Sequence, residues 1–275
     1  AIRFAVPVLL FRAVYTLDLG QAFDWRLLLS FYGAALISYI TAILLARHVW
    51  RRRPGESAAI GFCALFSNTL MLGLAVLERS YGAAALPYGF MILALHSPSV
   101  YFVGIVVMEF ARRDGAGLGE TLRRATRAML GNNLMVGIGL GFATNLGGLA
   151  LPEPVMASID QIAASALPAS LFAMGGALTR YSLRADIGIA TTVSALSLVL
   201  HPALAALIAA GLGLPTDMAR AAVVLAAMPT GMNGYLFAAM YNRAMGAAAS
   251  TVLLATTLSV FSIGFWLWWL GGVPG

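Results

Sequence analysis

Apolar segments of about 20 residues recur along the whole of this 275-residue chain. An α-helix needs about that length to cross the ~30 Å hydrocarbon layer of a bilayer. Only 10% of the residues are charged, whereas a soluble domain carries about 25%. The sequence therefore predicts an all-α polytopic membrane protein and not a soluble fold.

The hydropathy pattern predicts nine membrane spans joined by short connections, which leave no room for a separate soluble domain. The predicted spans are 1–16, 27–46, 57–80, 84–110, 128–146, 157–178, 187–212, 218–241 and 249–271.

The net charge of +6 comes from arginine alone, because the chain has no lysine. The arginines concentrate in alternate loops, after the first pair of spans and then after every second span. Cytoplasmic loops retain positive charge, so the first predicted span runs outward and the C-terminus lies outside. The same excess in a soluble protein would suggest nucleic acid, but here it indicates topology and predicts no nucleic-acid partner.

The chain contains a predicted internal repeat. FAVPVLLF in the first span and SALPASLF in the sixth place Pro7 and Pro168 at an offset of 161 residues (168 − 7). The same offset carries the predicted spans 27–46, 57–80 and 84–110 onto 188–207, 218–241 and 245–271. Five spans separate the starts of the two copies, and an odd number reverses direction, so the repeats are inverted.

Inverted repeats are typical of secondary transporters, in which discontinuous helices from both halves meet at the substrate site near the bilayer midplane. The span 128–146 precedes the second copy, whereas nothing comparable precedes the first, and the chain begins with Ala1. We therefore expect one further N-terminal span, which would give ten.

The third and eighth spans are the best candidates for discontinuous helices, because both contain polar or helix-breaking residues at mid-depth. Proline removes a backbone donor, and glycine weakens a helix and permits close approach. Backbone groups freed in this way can exist in a bilayer only when they face protein, water or a ligand. The residues concerned are Ser67, Asn68, Thr69 and Gly73, and Pro229, Thr230, Gly231, Asn233 and Gly234.

The sequence resembles the auxin efflux carrier family, which includes bacterial carriers of malonate, malate and similar acids. SNTLMLGLAVLERSYG at 67–82, AAMPTGMNGYLFAAMYN at 226–242 and ASTVLLATTLSVFS at 249–262 carry the likeness, which covers essentially the whole chain. One departure is Ala75, where relatives commonly have proline. Asn68 and Gly73 must therefore interrupt the helix of the third span without that proline.

The resemblance implies inverted five-helix repeats with crossed discontinuous helices. It implies scaffold helices 1–16, 128–146 and 157–178, transport helices 27–110 and 187–271, and a homodimer formed through the scaffold. It also implies a bacterial inner-membrane protein that moves a small organic anion by elevator-type alternating access, with the lipid bilayer and that anion as its partners.

Asn68 is the leading candidate for substrate binding, because a buried amide offers both donors and an acceptor. The alternative is that it bonds a neighbouring helix. His96, beside Ser97, could bind an anion or relay a proton, or could be neutral and bonded to a carbonyl. The predicted substrate-binding set is Ser67, Asn68, Thr69, Gly73, His96, Ser97, Pro229, Thr230, Gly231 and Asn233.

The other charged and titratable residues in the spans suggest simpler roles. His201 is interpreted as structural and Asp160 as interfacial. Arg12 either pairs with a substrate carboxylate or extends to the membrane surface. Glu109 is expected to form a surface ion pair with Arg112 or Arg113.

No catalytic motif, metal-ligand spacing or cofactor motif is recognisable, and a single cysteine, Cys63, excludes an intramolecular disulfide. We therefore predict no metal, no cofactor and no enzyme activity. Two alternatives stay open: an intramembrane enzyme that uses His96 or His201 on a lipid-like substrate, and a non-transporting membrane sensor with the same fold.

Overall fold

The computed structural model describes residues 4–16, 24–112, 119–120, 123, 126–127, 130–131, 133–178 and 183–271. Within these residues the regular structure is helical, apart from one isolated antiparallel bridge. The helices are α1 (Ala5–Tyr15), α2 (Trp25–His48), α3 (Pro54–Leu65), α4 (Leu74–Tyr81), α5 (Leu86–Ala111), α6 (Asn133–Leu146), α7 (Glu153–Leu178), α8 (Leu183–Ala195), α9 (His201–Gly211), α10 (Thr216–Ala226), α11 (Met232–Tyr241) and α12 (Met245–Trp269).

Four stretches of the described chain are long and apolar enough to cross a membrane as continuous helices. They are Trp25–His48, Ala83–Ala111, Asp186–Gly211 and Met245–Trp269. The all-α membrane fold predicted from the sequence is thus confirmed. The inverted repeat stays a prediction.

Three predicted spans are divided in the structure. Span 57–80 becomes α3, a π-helical turn at Thr69–Gly73 and α4. Span 218–241 becomes α10 and α11, with an irregular segment between them. Span 187–212 becomes α8 and α9, joined by a second π-helical turn at Leu196–Leu200, so this stretch stays helical throughout.

The described chain forms two compact units, here called the smaller and the larger unit. The smaller unit comprises Ala1–Gly20 and Ala94–Thr179, and the larger comprises Gln21–Leu93 and Arg180–Gly275. The boundary falls inside α5, whereas the proposed division placed all of 84–110 with the transport helices. The assignment of scaffold and transport helices stays a prediction.

In the smaller unit, α1 packs closely against α6. A Cβ added at Gly137 would collide with the backbone carbonyl of Pro7, and one added at Gly141 would lie 2.8 Å from the carbonyl oxygen of Phe11. Glycine is therefore required for this approach of two helices. The Asn145 side chain then donates to the carbonyl oxygens of Val14 (3.1 Å) and Tyr15 (2.7 Å), which satisfies the end of α1.

The larger unit is held by buried apolar packing between α2, α5, α9, α10 and α12. Leu27, Phe31, Ile92, Leu225 and Trp266 belong to one of its core clusters.

Contacts at the two ends of the larger unit agree with the predicted topology. Arg52 donates to Asp186 (2.7 Å), which brings together two loops that the arginine distribution places inside. At the other end the Arg220 guanidinium lies over the Tyr81 ring, 4.9 Å from its centroid, and both residues lie close to span ends that are predicted outside. The charge pattern and the fold of this unit are therefore consistent.

Candidate functional site

The first break separates α3 from α4. The α-helix ends at Leu65, and Phe66 is extended, with φ −97° and ψ 102°. The chain resumes as a π-helical turn at Thr69–Gly73, in which the Gly73 N–H donates to the Asn68 carbonyl oxygen at 3.0 Å. Asn68 is therefore the residue at which the helix restarts.

The second break separates α10 from α11. The segment after Ala226 runs through Pro229, which has no backbone N–H to continue a helix. Gly231 is extended, with φ −71° and ψ 159°, and α11 begins at Met232. Proline and glycine thus interrupt this helix as the sequence predicts.

The two breaks pair with each other through main-chain hydrogen bonds. The Asn68 N–H donates to the Pro229 carbonyl oxygen (2.9 Å), and the Gly231 N–H donates to the Phe66 carbonyl oxygen (2.9 Å). These bonds flank an antiparallel bridge between Ser67 and Thr230. Backbone groups that would otherwise be unsatisfied in a membrane are therefore bonded to each other. We call this paired segment, residues 66–69 and 229–231, the crossover.

Side chains also tie the crossover to α3. The Thr230 hydroxyl donates to the Cys63 carbonyl oxygen (2.7 Å), one turn before the first break. Cys63 is buried and unbonded to another cysteine. Thr230, one of the predicted binding residues, thus has a structural partner.

The predicted binding residues in and next to the crossover differ in accessibility. Ser67 (0% exposed), Thr69 (2%) and Thr230 (1%) are buried, whereas Asn68 and Asn233 are half-buried. A solute reaching the crossover would therefore meet the two amides before the hydroxyls.

Two glycines of the crossover region lie in close contact with neighbouring side chains. A Cβ at Gly73 would lie 2.6 Å from Leu225 Cδ2 and 3.2 Å from Met228 Cγ. A Cβ at Gly231 would lie 3.1 Å from the Phe66 ring. Both positions therefore serve the approach of the broken helices.

His201 lies against the crossover, which the sequence did not indicate. Its Nδ1 is 3.4 Å from the Ser67 hydroxyl, and its Nε2 is 3.3 Å from the Phe31 carbonyl oxygen. A structural role was expected, and the contacts agree with that role while placing the residue beside a predicted binding residue. No sequence signal links positions 67 and 201.

His96 and Ser97 lie in the part of α5 that belongs to the smaller unit, whereas the crossover belongs to the larger. His96 is 1% exposed and Ser97 is half-buried, one turn after the helix has crossed the unit boundary. Pro98 follows within the same helix. That His96 and Ser97 contribute to the Asn68 site stays a prediction.

Arg12 and Asp160, which the sequence analysis treated separately, form an ion pair in the smaller unit. Both side chains are partly exposed, at 43% and 45%. Asp160 therefore supplies a carboxylate for Arg12 within the protein. Glu109 pairs with Arg112 at 3.7 Å, as expected, and Arg113 lies outside the described residues.

In the part of the chain that the structure describes, no three His, Cys, Asp or Glu side chains are grouped closely enough to hold a metal ion. The polar groups that the described crossover offers are one side-chain amide, hydroxyls and main-chain groups.

Paired discontinuous helices inside an all-α membrane protein are the arrangement found in secondary transporters. Comparison with known proteins agrees with that class. A family model described as "Membrane transport protein" matches residues 1–118 and 122–267, and the chain belongs to this family. The expected relationship to auxin efflux carrier-type transporters is thus confirmed.

Two relatives illustrate the similarity. A protein of Rhizobium meliloti (strain 1021) named "Putative malonate transporter" is 25% identical over 265 residues, which cover 94% of this chain and 81% of the relative. An "Uncharacterized transporter" of Methanothermobacter thermautotrophicus (strain Delta H) is 25% identical over 272 residues, covering 96% of this chain and 85% of the relative.

Proposed function

We propose that this membrane transport protein is a secondary carrier of a small organic anion, a carboxylate such as malonate or malate. The observation that carries the proposal is the crossover, where two helices restart side by side. Asn68 precedes the turn that leads into α4, and Gly231 precedes α11. Two helix N-termini next to each other favour negative charge.

The half-buried amides of Asn68 and Asn233 add side-chain donors at the same place. An amide hydrogen bond to a carboxylate is charge-assisted and stronger than a bond between neutral groups. The residues proposed to bind substrate are therefore Asn68 and Asn233 first. The hydroxyls of Ser67, Thr69 and Thr230 are more deeply buried and would form the inner part of the site.

The proposed mechanism is elevator-type alternating access. Both breaks and the helices that hold them, α2, α9 and α12, belong to the larger unit. A binding site whose residues belong to one unit can move with that unit and keep its geometry. The proposed transport helices 27–110 and 187–271 would carry it relative to scaffold helices 1–16, 128–146 and 157–178.

Location and assembly follow as parts of the same proposal. The arginine distribution supports an inner-membrane orientation with the C-terminus outside. The family resemblance supports a homodimer formed through the scaffold helices. The relative named for malonate supports that acid as the first substrate to test.

Counterflow in liposomes tests the substrate class. Purified protein is reconstituted with internal malonate, and uptake of labelled malonate, malate, a monocarboxylate and a neutral amide is measured at two pH values, with and without sodium. We expect uptake of at least one acid and none of the amide. Monodisperse protein that exchanges no acid under any condition would remove the proposal and favour a non-transporting role.

Thiol accessibility tests alternating access. In a Cys63→Ser background, Asn233→Cys supplies one thiol at a half-buried position of the broken helix. We expect a membrane-impermeant reagent to modify it from either side of the membrane. Modification from one side alone, in protein that still transports, would contradict alternating access. The parent protein is the matched control, because its only cysteine is buried.

A further inference from the structure

His201 is a histidine that the proposed mechanism has not used, and it is fully buried beside the crossover. Its exposed fraction is 0%. The two ring nitrogens face different elements: Nδ1 faces Ser67 of the crossover, and Nε2 faces Phe31 of α2. The His201 side chain therefore connects α2, a continuous helix, to the first break.

The chain builds a specific local structure to place this side chain. Pro202 has no N–H, so the carbonyl four residues earlier, that of Leu198, loses its usual helical donor. That carbonyl accepts instead from the Ser262 hydroxyl (2.8 Å) and the Trp266 indole N–H (2.9 Å), both on α12. The freed group is thus satisfied by two side chains of a neighbouring helix.

The same carbonyl lies in the π-helical turn Leu196–Leu200, which immediately precedes His201. A π-helical turn inserts a residue and rotates the following helix about its axis, and such turns are frequent at functional sites. The rotated helix α9 is also fixed to α2, because the Ser30 hydroxyl donates to the Ala205 carbonyl oxygen (2.8 Å). His201 is therefore held from both sides.

The contacts define which nitrogen carries the proton. The Phe31 carbonyl oxygen can only accept, so Nε2 donates to it. Nδ1 of the neutral imidazole then accepts from the Ser67 hydroxyl. Both partners are neutral oxygen atoms. The uncharged ring thus satisfies them without placing an isolated charge in the protein interior.

We propose that His201 is a positioning residue for substrate binding: it holds Ser67 against α2 and thereby fixes how the next residue, Asn68, presents its amide. The inference rests on the proposed function of the crossover and assigns it an anchoring side chain. His201 does not contact the solute. Its effect on affinity passes through Ser67.

Two near-isosteric substitutions separate the two ring contacts. His201→Asn places an amide oxygen near the position of Nδ1 and can still accept from Ser67, but it loses the donor to Phe31. His201→Gln places an amide nitrogen near the position of Nε2 and keeps the Phe31 contact, but it loses the acceptor for Ser67. His48→Gln, at an exposed helix end, is the matched control.

Counterflow with malonate measures the functional effect. We expect His201→Gln to raise KM about 5- to 10-fold, the value of one lost buried hydrogen bond, with little change in maximal rate. His201→Asn and His48→Gln should keep KM near that of the parent protein. A fall in maximal rate at constant KM in both His201 variants would overturn the positioning role.

Hydrogen exchange supplies a readout that needs no transport. The amides of Asn68 and Gly231 donate the two crossover bonds. Faster exchange of both in His201→Gln than in His201→Asn is expected, whereas equal protection in the two variants contradicts the proposal. If no acid is transported but this difference is present, the proposed substrate class fails and the positioning of the crossover by His201 stands.

A double-substitution cycle with Ser67→Ala completes the test. When both residues act through one contact, His201→Gln in the Ser67→Ala background should have almost no additional effect on amide exchange. Fully additive effects would show that the two side chains act independently, and the proposal would be wrong.

Discussion

The backbone N–H of Asn68 donates to the carbonyl oxygen of Pro229 at 2.9 Å, and these residues are separated by the repeat offset of 161 (229 − 68). The bridge beside this bond is antiparallel. Equivalent positions of two oppositely directed copies would meet in this way about a local two-fold axis. The contact supports the inverted repeat, which was inferred from spacing alone.

Asn68→Ala is expected to raise KM for the transported anion about 10-fold or more, because a hydrogen bond to a charged group contributes about 1.5–3 kcal/mol. Counterflow over a range of substrate concentrations measures the change. Protein yield and thermal stability should stay near those of the parent. An unchanged KM would mean that Asn68 only bonds a neighbouring helix.

Asn68→Asp tests the sign of the substrate charge at nearly constant side-chain shape. A carboxylate beside a bound anion adds repulsion, so we expect a larger loss of affinity than for Asn68→Ala. Competition assays with labelled substrate measure the order of the two variants. Tighter binding to Asn68→Asp would indicate a cationic substrate and contradict the proposed class.

Asn145→Ala distinguishes a structural amide from a binding one. Asn145 donates to two carbonyl oxygens at the end of α1, so its loss should cost about 1–3 kcal/mol of stability. Thermal unfolding in detergent should show a lower midpoint, while KM of the surviving protein stays constant. A change in KM without a change in midpoint would reverse this assignment.

Gly73→Ala tests close packing at the first break. The added methyl would lie 2.6 Å from Leu225 Cδ2, and overpacking of this kind costs about 1–3 kcal/mol. We expect a lower unfolding midpoint and reduced flux. Gly264→Ala on α12 is the control, because its methyl meets nothing within 4 Å. Equal behaviour of the two variants would show that Gly73 is not constrained.

Asp24 provides a pH-dependent prediction outside the membrane spans. Its carboxylate accepts from the Arg26 guanidinium (2.8 Å), which holds the pKa of Asp24 below its ordinary value of 3.8. It also accepts from the Arg26 backbone N–H (2.8 Å) as the N-cap of α2. The ionised form is therefore favoured in the folded protein.

A lowered folded-state pKa contributes stability above the unfolded-state pKa and loses it as pH falls through the folded-state value. Asp24→Asn, which keeps a capping side chain, should therefore be less stable than the parent at neutral pH. The difference should shrink below about pH 3.8. Unfolding midpoints between neutral pH and about pH 3 measure it. A constant difference would exclude the ion pair as its cause.

Much of the fold is predictable because membrane spans have a strong local signal. The breaks at Asn68 and Pro229 were also predictable, since proline, glycine and an amide at mid-depth are local features. The exact ends of the helices were less predictable from the sequence. The last helix begins at Met245 instead of 249, because Asn242 and Ala244 adopt left-handed conformations that form a tight turn before it.

Pairings between distant side chains could not be read from local pattern. Arg12 and Asp160 each have more than one plausible environment when considered alone, and only the packing of α1 against α7 joins them. His201 reaches Ser67 after the π-helical turn has rotated its helix. Hydrophobic periodicity carries no information about such a rotation.

The two segments of the crossover are joined by main-chain hydrogen bonds, and any residue except proline supplies the N–H that position 68 donates. Exchange of the side chains at positions 68 and 233 therefore leaves the joint between the two helices intact. Under the proposed function, changes at those two positions would alter which acid is carried while the main-chain frame is kept, and protein engineering can use the same route.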